Sequence, residues 1–119
     1  MNQADFFKAL SDSTRLNILK MILKKNTVCV CEFTAQLQVS QPKVSRHLAL
    51  LRNLAIVLDE RLGQWVYYRI NPDLPDWANE ILKVLRRLIE ILQGFENEIV
   101  KRDVIYNFFD SSKKYRDSF

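Results

Sequence analysis

Cys29 and Cys31 are the only two cysteines in the chain, and they sit one residue apart in Val28-Cys29-Val30-Cys31-Glu32-Phe33. Thiolates are soft ligands suited to thiophilic ions such as As(III), Sb(III), Cd(II) or Pb(II). On an ideal helix, side chains two positions apart differ by ~200° in direction. Joint ligation by this pair therefore predicts that the first turn of a helix here unwinds or never forms. Two other uses stay open. Neighbouring thiols can oxidise reversibly and act as a redox or sulfur switch, and free cysteine is also a small, commonly buried hydrophobe that would make this stretch plain core. A secreted disulfide scaffold would spread more cysteines along the chain, so these read as reduced thiols in a cytosol.

The rest of the chain offers little competing chemistry. The single histidine, His47, leaves a zinc or nickel site short of imidazole donors, so zinc is not expected. Thiol oxidoreductases place two residues between their cysteines and set them in a βαβ pattern, which is absent here. No Ser/His/Asp set or pair of catalytic carboxylates can be argued, and the chain is not expected to be an enzyme. Met1-Asn2-Gln3-Ala4-Asp5 lacks the basic, apolar start of a signal peptide. The longest apolar run, Leu54 to Leu58, is far too short for a bilayer. A cytoplasmic protein with no membrane partner is expected. Its 18 Lys and Arg against 14 Asp and Glu give a net charge of +4, which fits a polyanionic partner without demanding one.

The elements around the cysteines are mostly helical. Phe6, Phe7 and Leu10 form a short apolar stripe on a first helix. Asp12 in Ser11-Asp12-Ser13-Thr14 is the expected N-cap of a second, which carries Leu16, Ile18, Leu19, Ile22 and Leu23 at helical spacing and ends at Lys24-Lys25-Asn26. A third covers roughly Cys31 to Leu37. After a turn at Val39 to Pro42, a fourth starts at Ser40-Gln41-Pro42-Lys43, since Pro suits a first turn. Projected at ~100° per residue, Val44, Leu48 and Leu51 share one face and must point into the core. Pro42, Arg46, Ala49 and Asn53 lie opposite, flanked by Lys43 and Ser45. That outer face is small, polar and basic, and can enter a major groove about 12 Å wide; alone it would equally suit a solvated surface.

Context favours the groove. The preceding helix ends at helix-turn-helix spacing, and Ile56 to Leu62 and Trp65 to Ile70 are β-branched and aromatic stretches joined at Gly63-Gln64. A hairpin directly after a recognition helix is a wing. The candidate DNA-contacting residues are Ser40, Gln41, Lys43, Ser45, Arg46 and His47 on the fourth helix, with Arg61 and Gln64 on the wing. Arg69 is equally readable as a surface residue of its strand. From Trp77 the apolar positions Ile81, Val84, Leu88, Ile91, Phe95 and Ile99 step by four and three, widened by Leu82, Leu85, Ile89 and Leu92. So broad a stripe predicts pairing with a second copy, with Phe6, Phe7, Trp77, Ile81, Val84, Leu88 and Ile91 at the dimer interface. The fold expected is mainly α with a small β-hairpin, in the order α-α-α-α-β-β-α. One domain over residues 1–109 carries dimerisation helices at both ends. Val104, Ile105, Phe108 and Phe109 suggest a further turn, and 110–119 a flexible basic tail.

Ala9-Leu10-Ser11-Asp12-Ser13-Thr14-Arg15-Leu16, Ser40-Gln41-Pro42-Lys43-Val44-Ser45-Arg46-His47-Leu48 and Arg61-Leu62-Gly63-Gln64-Trp65-Val66-Tyr67-Tyr68-Arg69 resemble, in order and spacing, the signatures of the ArsR/SmtB family of winged helix-turn-helix repressors. The resemblance covers roughly residues 5 to 71. It implies a homodimer that binds double-stranded operator DNA with an inverted repeat and represses transcription until an inducer binds. The segment from Val28 to Phe33 is similar to the Cys-Val-Cys-Asp/Glu-Leu signature of arsenic- and antimony-sensing members, which implies As(III) or Sb(III) as inducer, held by Cys29 and Cys31. The chain departs from the family pattern at four points. Ser13 replaces a usual Pro, and Ala55 stands where Gly commonly ends the recognition helix. Thr34 stands where three-thiolate sensors carry another Cys, and no N-terminal Cys matches the cadmium- and lead-sensing branch. A two-thiolate site completed by solvent or a small cellular thiol is the resulting expectation.

Overall fold

The computed structural model describes residues 1–99, with side chains described through residue 94. The described elements are α1 (Gln3–Leu10), α2 (Ser13–Lys25), β1 (Val28–Cys29), α3 (Val30–Leu37), α4 (Gln41–Asn53), β2 (Val57–Leu62), β3 (Trp65–Ile70) and α5 (Asp76–Ile99). The chain divides into two compact units, Met1–Arg86 and Arg87–Phe119. The turn expected at Val104, Ile105, Phe108 and Phe109 and the tail 110–119 lie outside the described residues, as do the side chains of Phe95 and Ile99. No helix among the described residues is long and apolar enough to cross a membrane.

Polar residues start the first two helices. The Asn2 side chain accepts from the Ala4 N–H at 2.7 Å, and Asp12, the expected cap, accepts from the Arg15 N–H at 3.0 Å. Each satisfies a donor that the first helical turn leaves without an intrahelical partner. Behind these caps lies one core: Phe6 of α1, Ile18, Leu19 and Ile22 of α2, Phe33 of α3, Val44, Leu48 and Leu51 of α4, and Ile56 and Val57 at the start of the wing are all fully buried. The face of α4 expected to point inward does so.

The sheet is larger than the expected hairpin. β2 and β3 pair antiparallel from Val57↔Ile70 to Leu62↔Trp65, with Gly63 in the turn at φ +63°. A third strand, β1, adds to the other side of β3 through Val28↔Tyr68 and Cys29↔Tyr67, giving the order β1-β3-β2. The element order is therefore α-α-β-α-α-β-β-α. A two-residue strand buried at both positions shows none of the alternation by which a strand is read from sequence; only its distant partner makes it one.

α4 closes on an alanine. The Ile56 N–H donates to the Leu51 carbonyl at 3.0 Å and the Ala55 N–H to the Arg52 carbonyl at 2.9 Å, the pair of bonds that defines a Schellman end. Ala55 takes φ +59°, the left-handed conformation that normally favours glycine. Fully buried Leu51 and Ile56 supply the apolar contact that accompanies this motif.

The residues expected at a dimer interface do not all face outward. Phe6 is completely buried within the first unit, its ring edge-on to Trp77 at 5.2 Å. It belongs to the core of its own chain, which corrects its expected place, because α1 lays this face on the rest of the unit. Trp77 and Ile81 are half-buried. Phe7 and Val84 are exposed. In the stretch of α5 beyond Arg86, Leu88, Ile91 and Leu92 are exposed large apolar side chains.

Candidate functional site

The two sulfurs meet with the helix intact. Cys29 is not in α3 but is its N-cap, with extended backbone at φ −77° and ψ 149°, and Cys31 lies in the first turn. The chain thus bends between them, and the Sγ atoms stand 3.0 Å apart, with the Cys31 thiol donating to the Cys29 sulfur. The sulfurs can meet without unwinding α3, because the ~200° separation applies to two helical residues and only Cys31 is helical. Glu32 reaches back to the Cys29 N–H at 3.4 Å and is itself held by Lys25 Nζ at 3.2 Å, which ties the start of α3 to the end of α2. Cys29 is buried and Cys31 exposed. The bond to the Cys29 sulfur, then burial and the nearby charges of Cys29 and Glu32, push the Cys31 thiol above its ordinary range.

The pair lines a cleft of about 450 Å³. α3 contributes Val30 and Thr34 beside the cysteines, α4 contributes Gln41 and Ser45, and the wing contributes Gln64, Trp65, Val66 and Tyr68. Tyr68 is buried, and that burial pushes its phenol up, with Asp59 adding to the effect. Three of the candidate DNA-contacting residues, Gln41, Ser45 and Gln64, therefore share one cavity with both cysteines. Sequence spacing brings the thiols near α4, but the part played by the wing depends on how β3 folds back onto β1.

The other candidate contacts stand on the surface. Ser40, Lys43, Arg46 and Arg61 are exposed, and none of the three cations joins an ion pair among the described residues. Arg69 is exposed on β3. His47 is not grouped with them. It is half-buried and turned to the start of α2, where Arg15 Nη1 donates to its Nδ1 at 3.3 Å and its Nε2 lies 3.9 Å from Asp12. Because a guanidinium only donates, Nδ1 accepts, and the ring proton of the neutral form sits on Nε2. Burial, opposed by Asp12 and aided by Arg15, Lys43 and Arg46, holds the imidazole below its usual range. The same Arg15 donates from Nε to the Ala9 carbonyl at 2.9 Å and from Nη2 to the Lys8 carbonyl at 3.2 Å. It joins the end of α1, the start of α2 and the recognition helix, a role that no spacing in the sequence announced.

Among the described residues no cluster of three or more His, Cys, Asp or Glu side chains could hold an ion. Two thiolates each about 2.3 Å from one soft ion stand roughly 3–4 Å apart, so the cysteine pair suits two positions of a thiophilic centre with small adjustment and leaves any further position to another donor.

Comparison with known proteins agrees with this architecture. The family model described as "Bacterial regulatory protein, arsR family" matches residues 12–58, which runs from the cap of α2 into β2. An arsenic resistance transcriptional regulator of Pseudomonas putida is 54% identical over 80 residues, covering 67% of this chain and 70% of that protein. The arsenical resistance operon repressor of Escherichia coli is 47% identical over 76 residues, covering 64% of this chain and 65% of its own length. The crystal structure of the antimony-specific transcriptional repressor AntR superposes with a TM-score of 0.60 at 26% identity, over 76% of this chain and 79% of that one. With a recognition helix, a wing and relatives at this level of identity, the chain belongs to the arsR family of bacterial regulatory proteins, which are DNA-binding transcriptional regulators rather than enzymes.

Proposed function

We propose that this protein is a transcriptional repressor that grips operator DNA as a homodimer and lets go when trivalent arsenic or antimony binds Cys29 and Cys31. The observation that carries the reading is the shared cleft: both sulfurs, 3.0 Å apart, line the same cavity as Gln41 and Ser45 of the recognition helix and Gln64 of the wing. A ligand drawn to the sulfurs acts within the surface that faces the groove. Lys43, Arg46 and Arg61 are exposed and supply phosphate attraction, while Ser40, Gln41, Ser45 and Gln64 offer donors and acceptors to the duplex. The half-sites of an inverted repeat would be met by two copies paired through exposed apolar side chains, with Phe7, Val84, Leu88 and Ile91 as candidates. The names of the Pseudomonas putida and Escherichia coli relatives and of AntR support a metalloid as inducer.

A redox switch is the second reading, favoured by the same sulfur contact, since two-electron oxidation would join the pair. The thiolate is both the attacking species in oxidation and the soft ligand for a metalloid, so either reading draws on the same form of the pair. One experiment tests both. A duplex selected from a random library is shifted with the protein on a gel, then challenged with As(III) and separately with a mild oxidant. Release by As(III), lost in Cys29→Ser and Cys31→Ser while duplex binding persists, supports the proposal. Variants that still respond to As(III) would move the inducer site elsewhere, and release by oxidant alone would favour the switch.

A further inference from the structure

Trivalent arsenic and antimony make three bonds, and the chain has two sulfurs to offer. No third side chain of the usual ligand types gathers with them among the described residues. The surroundings of Cys31 indicate what completes the set. It is exposed on a cleft of about 450 Å³, whereas one water occupies about 30 Å³ of liquid, so the space admits far more than a hydroxide. The cleft is lined by no charged side chain. Gln41, Gln64, Ser45, Thr34 and Trp65 line it, with the Thr34 hydroxyl donating to the Cys31 carbonyl at 2.9 Å; amides, hydroxyls and an indole make a lining suited to peptide groups and methylenes.

We propose that this cleft seats a low-molecular-weight, peptide-like thiol that supplies the third sulfur to the metalloid. The inference rests on the metalloid reading of the cysteine pair. With arsenous acid, three As–S bonds form and three As–O bonds break. Each thiol hydrogen leaves with a hydroxyl as water, and arsenic stays trivalent throughout. The seated thiol lies among Gln41, Ser45 and Gln64, so what it fills is space between the recognition helix and the wing.

Native mass spectrometry of the full chain with arsenous acid, with and without glutathione, tests this. The expected mass is one arsenic and one glutathione per chain, and omitting glutathione should weaken arsenic binding by about tenfold, within the usual range for coupled ligands. Thr34→Cys places a thiol three residues along α3 from Cys31, on the same helix face. It should bind arsenic with no glutathione in the complex. Trp65→Ala removes a wall and should keep arsenic while reducing the glutathione dependence. Arsenic bound by the unaltered chain equally tightly with and without glutathione would overturn the proposal, as would an unchanged dependence in Trp65→Ala. A chain that takes up no arsenic under any condition would instead sink the metalloid reading itself.

Discussion

Cys29 is paired with Tyr67 across the β1–β3 ladder, so the buried sulfur of the thiol pair belongs to the same sheet as the wing. The exposed sulfur belongs to α3, which packs on the recognition helix. Under the proposed function, a ligand that pulls the two sulfurs together would bear on the wing through the β1–β3 ladder and on the recognition helix through α3.

This division of the pair makes the two serine substitutions unequal in stability. Cys29 is 5% exposed, and placing a hydroxyl there should cost about 1–3 kcal/mol. Cys31→Ser, at an exposed position, should change stability by less than about 0.5 kcal/mol. Urea denaturation of the two variants measures the difference, and equal losses would contradict the burial.

Ala55→Gly should stabilise the protein. A left-handed alanine costs about 1–2 kcal/mol that glycine avoids, offset by about 0.5–1 kcal/mol for glycine's greater freedom in the unfolded chain. A rise of about 0.5–1 kcal/mol in unfolding free energy is the expected net effect, with the Schellman bonds retained. A decrease would mean that α4 ends differently in solution.

Stability should fall as pH drops below 6.5, the ordinary histidine value. Burial holds folded His47 below that value, so between the two the unfolded chain carries more protons and stability rises with pH. The contribution is complete above the unfolded value and is lost as pH falls through the folded one. Asp12, held low by the Arg15 N–H, acts in the same sense at more acid pH, below 3.8. Melting temperatures followed from about pH 7 to pH 5 should slope for the natural chain and flatten in His47→Gln.

DNA affinity should fall steeply with salt, and Lys43→Ala should lower the slope of log affinity against log salt by about 1 for each copy, about 2 for the proposed homodimer. The loss should be similar for all duplex sequences if Lys43 meets phosphate, and a loss that varies with sequence would place its ammonium on a base edge instead. Ser45→Ala, by contrast, should alter the preference among sequences. Fluorescence anisotropy over a salt series distinguishes the two.

Much of this protein is written in local pattern. The Asp12 cap, the inward face at Val44, Leu48 and Leu51, the Pro42 start and the Gly63 turn each follow from residues a few positions apart, where sterics and hydrogen bonding act at short range. So does the presence of a soft-ligand pair, since chemistry is fixed by side-chain type. What only the tertiary structure decided depends on groups far apart in the chain. β1 exists because Val28 and Cys29 meet Tyr68 and Tyr67, and that pairing puts Cys29 before the helix and lets the sulfurs touch. The His47 ring turns to Arg15 and Asp12, more than thirty positions earlier, and Phe6 is buried edge-on to Trp77 rather than exposed for pairing. Periodicity tells which face of an element is apolar; it does not tell which distant residue will satisfy or cover it.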